Sequence, residues 1–260
     1  RPNSTTPIQY LETNMTNGLK VKKRNGRGTE PLDLEKIHNM VEDACKDVTG
    51  VSASQVEIQS GIQFYDGIST AEIQDILIKS ASDLITLDNP NYQFVAARLL
   101  LFATRKSLYG RTRDLPPLED HIMNCTNIDV YDKEIFGKYS KEEIEKANSY
   151  IDHDRDFLFT YAGLRQVVDK YLVQDRSTGK VFETPQFMYM MIALTIFSEY
   201  PKETRLNYVK RYYDAISRHR INIPTPIMAG VRTPIRQFAS CVLVDIDDTL
   251  DSIFSSDMAI

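Results

Sequence analysis

The chain has 260 residues, 42% of them hydrophobic, and a formal net charge of -5 from 31 basic and 36 acidic side chains. That composition suffices for one large domain or two small ones, and its acidic balance argues against general nucleic-acid binding. No stretch approaches the roughly 18 uninterrupted apolar residues of a membrane span, and the opening RPNSTTPIQY lacks a signal-peptide layout, so a cytoplasmic protein without a membrane segment is expected.

Residues 1–18, rich in Ser, Thr, Asn and Pro, are expected to be a disordered lead-in. LKVKK, residues 19–23, alternates like a strand, and Asn25-Gly26 predicts a hairpin turn before a return strand. Asp33 is placed to cap a helix whose face carries Leu34, Ile37, Met40, Val41 and Ala44. Ser52-x-x-Gln55 reads as a capping box for a second helix, with Val56 and Ile58 to Ile62 following. Ser69-x-x-Glu72 opens a third, in which Ile73, Ile76, Leu77, Ala81, Leu84 and Ile85 keep a 3.6-residue period up to Asp88-Asn89. Pro90 suits the first turn of a fourth helix that Gly110 ends. Residues 19–110 thus predict a module of one hairpin and four helices.

RTRDLPPL, residues 111–118, breaks the pattern. Residues 111–221 read as a helical domain: Ser140-x-x-Glu143 caps one helix, Thr184-Pro185 starts the apolar run FMYMMIALTIF, and Glu203 to Arg218 forms another, with a small hairpin in YLVQDRSTGKVFET. From residue 222 to 260 short β segments and turns are expected, an unfinished new domain. The chain starts with Arg1 rather than Met, and DSIFSSDMAI carries no stop signal, so it is expected to be part of a longer protein.

Three groups of residues are candidates for chemistry. Lys20, Lys22, Lys23, Arg24, Arg27, Lys36, Arg105 and Lys106 could hold a triphosphate between basic side chains and a helix N-terminus, or form a merely solvated basic hairpin. Cys241 sits in the apolar run FASCVLVDI near Arg232, Arg236 and Ser240, either as a redox thiol favoured by cationic neighbours or as a small hydrophobe. Asp245, Asp247, Asp248 and Asp251 lack the EF-hand pattern. Capping of the next helix by Asp247 or Asp248 and acceptance of hydrogen bonds from a ribose are both open. Cys45, Cys125 and Cys241 are too few and too scattered for a disulfide framework or zinc knuckle, and the groupings around His121 and His153 are too sparse for a metal.

EPLDLEKIH, IQFYDGISTAEIQDILIKSASDLI and NPNYQFVAARLLLFATRKSLYG together resemble the ATP-cone of class I ribonucleotide reductase large subunits. DFLFTYAGLRQVVDKYLV, ETPQFMYM, YVKRYYDAIS and PTPIMAGVRTPIRQFASCVLVDIDDTLDSI resemble the continuation of that subunit into its catalytic barrel. The resemblance covers about residues 19–260. It implies an α+β, mainly helical fold: an ATP-cone at 19–110, a helical domain at 111–221 and the start of an α/β ten-stranded barrel at 222–260.

The resemblance also implies that ATP at the cone permits activity and dATP stops it, with Mg2+ accompanying the nucleotide. Lys23, Glu30, Pro31, Leu32, Asp33, Leu34, Glu35, Lys36, Thr70 and Lys106 match the effector contacts. Cys241 matches one of two redox cysteines that reduce the ribose 2′ position, and Thr225 and Ser240 match substrate contacts. Asp248, Thr249 and Leu250 match a specificity site for a deoxynucleoside triphosphate or ATP. The implied partners are a radical-supplying small subunit, further large subunits, and thioredoxin or glutaredoxin as reductant. In the family the second redox cysteine, the thiyl-radical cysteine, the catalytic Glu and Asn and the C-terminal cysteine pair all lie beyond position 260. Gln74 and Ala103 stand where some relatives have histidine, and an extra residue falls near Arg27-Gly28. A rigid apolar strand is the expected setting for Cys241. Two other readings compete: a non-catalytic nucleotide-sensing regulator built on an ATP-cone, and a helical protein whose basic hairpin meets an acidic partner. A pure sensor has no use for the segment from Pro224 to Ile253.

Overall fold

The computed structural model describes residues 18–23, 28–235 and 238–259. The lead-in up to Asn17, the Asn25-Gly26 turn, and Arg24, Arg27 and Arg236 lie outside the described residues. Strand β1 (Lys20–Lys22) pairs antiparallel with β2 (Thr29–Pro31), Val21 opposite Glu30, as the hairpin reading requires. On its other edge β1 pairs in parallel with β3 (Ile68–Ser69), a strand too short to read from sequence. Gly67 turns the chain into β3 at φ 81°, a left-handed conformation that glycine adopts without steric cost, and its N–H donates to the Lys20 carbonyl at 2.8 Å.

Helix α1 (Leu34–Cys45) begins where the Asp33 carboxylate accepts from the Lys36 N–H at 3.0 Å, and it buries Ile37, Val41 and Ala44 as the period predicts. The start of α2 (Ala53–Gly61) differs from expectation. Ser52 and Gln55 form no capping box; the Ser52 N–H donates to the Tyr92 phenol at 3.0 Å, and the phenol donates to Gln55. Tyr92 is buried, so its hydroxyl needs partners and takes both. Helix α3 (Thr70–Asp83) has the full box: the Glu72 N–H donates to Ser69 Oγ at 3.1 Å, and Glu72 accepts from the Ser69 N–H at 2.9 Å. These bonds, with one from the Tyr65 hydroxyl, hold the Glu72 carboxyl down to about 2. The helix stops at Asp83, short of the Asp88-Asn89 break. Helix α4 (Tyr92–Tyr109) starts two residues past Pro90 and ends at Gly110, φ 71°.

Beyond it come α5 (Leu118–Asn127), α6 (Glu134–Lys138), α7 (Lys141–Asn148) with its Ser140/Glu143 box, a 3-10 turn (His153–Leu158), and α8 (Tyr161–Gln166), which widens into a π-helical turn (Val167–Tyr171). The hairpin β4 (Gln174–Asp175) and β5 (Lys180–Val181) follows as read, then α9 (Pro185–Ile196) and α10 (Lys202–Ser217). Every side chain of α9 from Pro185 to Leu194 is buried, which is why its sequence is apolar on all sides rather than striped.

The last part corrects the reading. Where short β segments were expected, the described residues hold α11 (Thr225–Gly230) and α12 (Leu250–Ala259) and no strand. A strand needs a neighbour to satisfy its backbone, and residues 238–249 have none here. Val242 and Leu243 are 78% and 102% exposed.

One core runs through both halves because α4 packs on α1 and α3 on one side and on α8 on the other. Arg105 of α4, read from sequence as part of a basic cluster, is buried: its guanidinium donates to Asp156 at 2.9 Å, to the His153 carbonyl at 2.7 Å and to the Thr112 carbonyl at 3.2 Å. Gln186 donates to the other Asp156 oxygen at 2.8 Å, and Tyr213 donates to Gln186 at 2.6 Å. Arg105→Met, which strands the buried Asp156 charge, is expected to cost about 3–5 kcal/mol in urea unfolding, against a much smaller loss when Asp156→Leu removes the anion as well.

Candidate functional site

A cavity of about 500 Å³ opens between the β1–β2 hairpin, one face of α1, the start of α3 and the end of α4. Buried Val21, Ile37, Ile73 and Phe102 contribute apolar walls, and Lys36 and Lys106 stand among the lining side chains. Of the residues predicted to contact an effector, Glu30, Pro31, Leu32, Asp33, Lys36, Thr70 and Lys106 all line it. Segments up to 76 positions apart in the chain, from Glu30 to Lys106, therefore meet at one place.

Lys23, Leu34 and Glu35 do not line the cavity. Lys23 pairs with Glu30 at 3.0 Å at its edge, and Leu34 packs against the core. Strand alternation sends Lys20 and Lys22 to the face opposite Val21, and the step of one residue around α4 sends Arg105 inward, away from Lys106. Among the described residues the basic cluster at the cavity thus comes down to Lys36 and Lys106, with Lys23 beside them.

The charges are not equivalent. Lys36 Nζ lies 3.1 Å from Asp33, whose carboxyl is held below its usual range by the Lys36 backbone N–H and by this pair. The Lys36 ammonium is raised in turn by Asp33. Lys106 has no carboxylate within ion-pair reach among the described residues. Asn39, Met40, Asp43, Gln74 and Thr112 complete the lining and were not read as site residues. Helical spacing could have indicated some: Ile73 and Gln74 follow Thr70 by three and four positions, and Phe102 precedes Lys106 by four.

The second group of predicted residues is not assembled. Cys241 is exposed, lies in no strand, and is a free thiol, as are Cys45 and Cys125; Ser240 Oγ lies 3.8 Å from its sulfur. Asp248, Thr249 and Leu250 are exposed at the start of α12. Its cap is Thr249, whose hydroxyl accepts from the Ser252 N–H at 3.2 Å, rather than Asp247 or Asp248. Thr is among the favoured capping residues, only somewhat below Asp.

Thr225 opens α11, and its hydroxyl is 3.2 Å from that of Tyr171. Tyr171 and Met228 line a further cavity of about 520 Å³ with Phe159, Thr160, Tyr189 and Asn222. Beneath α11 lies a buried polar chain. Tyr131 donates to Glu183, so the His121 Nε2–H donates to Tyr131 at 2.9 Å and Nδ1 accepts from the Tyr109 hydroxyl at 3.2 Å. This tautomer follows because burial holds His121 down to about 4 and leaves it neutral. Among the described residues no cluster of His, Cys, Asp or Glu could hold a metal, and no helix is long and apolar enough to cross a membrane.

Two stretches of the chain match known protein families. Residues 19–107 match the ATP cone domain, and residues 157–236 match the ribonucleotide reductase all-alpha domain. The chain is 49% identical over 246 residues to the ribonucleoside-diphosphate reductase 1 subunit alpha of Escherichia coli, and 49% over 246 residues to the subunit alpha of Haemophilus influenzae, in each case 95% of this chain and 32% of the relative. To the Helicobacter pylori subunit alpha it is 35% identical over 238 residues, 92% of this chain and 29% of the relative. The chain thus spans about a third of the length of these relatives.

Two outcomes follow from the geometry. Burial raises the Cys45 thiol to about 11 and the Cys125 thiol to about 12, so iodoacetamide at mildly alkaline pH is expected to label exposed Cys241 first, as peptide mass spectrometry would record. Comparable labelling of Cys125 in the native chain contradicts the placement. His121 and His153 are both lowered by burial from 6.5 to about 4, so in that interval only the unfolded chain takes up their protons, and stability falls as pH drops below about 6.5. Urea midpoints measured between about pH 7 and pH 5 are expected to decline; a flat profile would refute the burial of both rings.

Proposed function

Because the chain belongs to the ribonucleotide reductase alpha-subunit family, of whose members it spans about a third, we propose that it is the regulatory and early catalytic portion of a ribonucleoside-diphosphate reductase. The observation that carries this reading is the cavity between Val21 and Thr112, whose lining apart from Thr112 lies within the stretch matching the ATP cone and which gathers seven of the ten expected effector contacts. Its apolar walls suit an adenine base, and Lys36 and Lys106 suit the phosphates, with Mg2+ arriving on the nucleotide. ATP there supports activity and dATP stops it.

In the same proposal Cys241 pairs with a second cysteine supplied elsewhere in the complete subunit. The two thiols give two electrons and two protons, the ribose 2′ hydroxyl leaves as water, and a disulfide remains for thioredoxin or glutaredoxin to reduce. Thr225 and Ser240 hold the nucleoside diphosphate, Asp248, Thr249 and Leu250 begin the site of a second, selectivity-setting nucleotide, and the radical comes from a small subunit. Residues 19–110, 111–221 and 222–260 are the corresponding cone, helical and barrel-initiating parts of an oligomeric subunit working in the cytoplasm. The alternative, a sensor without catalysis, does not account for the match over residues 157–236.

Titration of the chain with ATP and dATP tests the cone. Saturable binding is expected, weakened roughly tenfold to a hundredfold by Lys106→Ala, the loss of one charge-assisted hydrogen bond. Lys36→Ala is expected to cost less, because Lys36 must first leave Asp33. Absence of saturable binding, or affinity indifferent to both substitutions, removes the reading.

A further inference from the structure

Glu183 and Arg232 form an ion pair with both side chains fully buried, at 0% exposure each. Such a pair is a poor investment in stability alone, since well-packed apolar side chains of similar volume usually serve as well or better. What the pair does is geometric. Arg232 Nε lies 2.9 Å and 3.0 Å from the two Glu183 oxygens. Its Nη1 donates to the Met228 carbonyl at 2.5 Å, and its Nη2 to the Tyr171 carbonyl at 3.0 Å as well as to Glu183. Glu183 also accepts from the Val173 N–H at 2.8 Å and from Tyr131, and the Arg232 carbonyl accepts from the Asp132 N–H at 3.0 Å.

One planar fork therefore holds α11 from two directions. Met228, in the last turn of the helix, is held directly. Thr225, its first residue, is held through Tyr171, whose carbonyl meets Arg232 and whose hydroxyl lies 3.2 Å from the Thr225 hydroxyl. A lysine in place of Arg232 could keep the charge but could not span both carbonyls and the carboxylate with fixed geometry. Arg232 reaches no solvent, so it cannot itself touch a ligand.

We propose that Glu183 and Arg232 are positioning residues that fix α11 and Tyr171 so that the Thr225 hydroxyl is presented to the nucleoside diphosphate. This rests on the reading of Thr225 as a substrate contact, and the experiment separates the two. The complete alpha subunit is assayed with its small subunit, with ATP binding at the cone and the thermal midpoint measured for every variant.

The double substitution Glu183→Leu with Arg232→Met removes both charges at similar volume. It is expected to retain fold and cone binding while raising KM for the nucleoside diphosphate about tenfold, with a smaller change in kcat. Should that variant fail to fold, Tyr171→Phe cuts the link to Thr225 while leaving the ion pair intact, and KM is expected to rise severalfold. Tyr171→Phe added to Thr225→Val should then raise KM no further, the non-additivity of residues acting through one contact. If Thr225→Val raises KM while the folded double variant and Tyr171→Phe keep the wild-type value, the positioning role is wrong. If Thr225→Val itself leaves KM unchanged, the substrate reading of Thr225 falls, and this inference with it.

Discussion

Arg105 carries its charge where water does not reach, and the way that charge is neutralised determines how the two halves of the chain meet. Its partners Asp156 and the His153 carbonyl come from a segment well after the cavity-bearing module, and the Thr112 carbonyl comes from the cavity's own edge. Asp156 is pushed upward by burial and pulled back by Arg105 and Gln186, so each ion makes the burial of the other tolerable. Neither half can be moved without exposing or stranding a charge. The preceding and following residues of α4 have other duties: Phe102 and Lys106 face the cavity and Tyr109 meets His121. One helix is thereby a wall of the cavity and a member of the interior of the helical region, so the far wall of that cavity is fixed to the segments that lead to Thr225.

The cavity itself is a competition between charges. Lys36 and Lys23 arrive already paired with Asp33 and Glu30, at 3.1 Å and 3.0 Å, and these carboxylates lie where an anionic ligand would approach. A phosphate must displace them or share the lysines, and the gain per lysine is the difference between two ion pairs rather than the whole of one. Lys106 has no such carboxylate to leave among the described residues, so under the proposed function its contact with a phosphate would count more fully than those of Lys23 and Lys36.

Local signals were legible in sequence and distant ones were not. The boxes at Ser69/Glu72 and Ser140/Glu143 close within four residues and formed as read. The similar pattern at Ser52/Gln55 did not, because Tyr92, far along the chain, is buried there and its phenol outcompetes the local pairing. Glu30 to Asp33, Lys36, Thr70 and Lys106 meet at the cavity and Lys23, Leu34 and Glu35 do not, while Asp43, Gln74 and Thr112 enter its lining through the packing of segments distant in the chain. The inward turn of Arg105 was illegible for a simple reason. A basic residue at the end of a helix ordinarily faces solvent, and only the position of Asp156 in space makes the opposite arrangement favourable.

The contrast between the two thiols of the second half bears on where geometry comes from in this protein. Cys125 is enclosed by His121 and the Phe182 carbonyl and is driven away from ionisation. Cys241 is exposed on a segment whose apolar neighbours Val242 and Leu243 face water. Apolar side chains so exposed, close together in sequence, mark a surface that gains by being covered. The Glu183–Arg232 fork fixes the backbone only as far as Arg232 itself, nine residues before the thiol. Under the proposed function, placement of Cys241 against a sugar would therefore depend on what packs over Val242 and Leu243, whereas Thr225 is already tied through Tyr171 to the interior of the helical region.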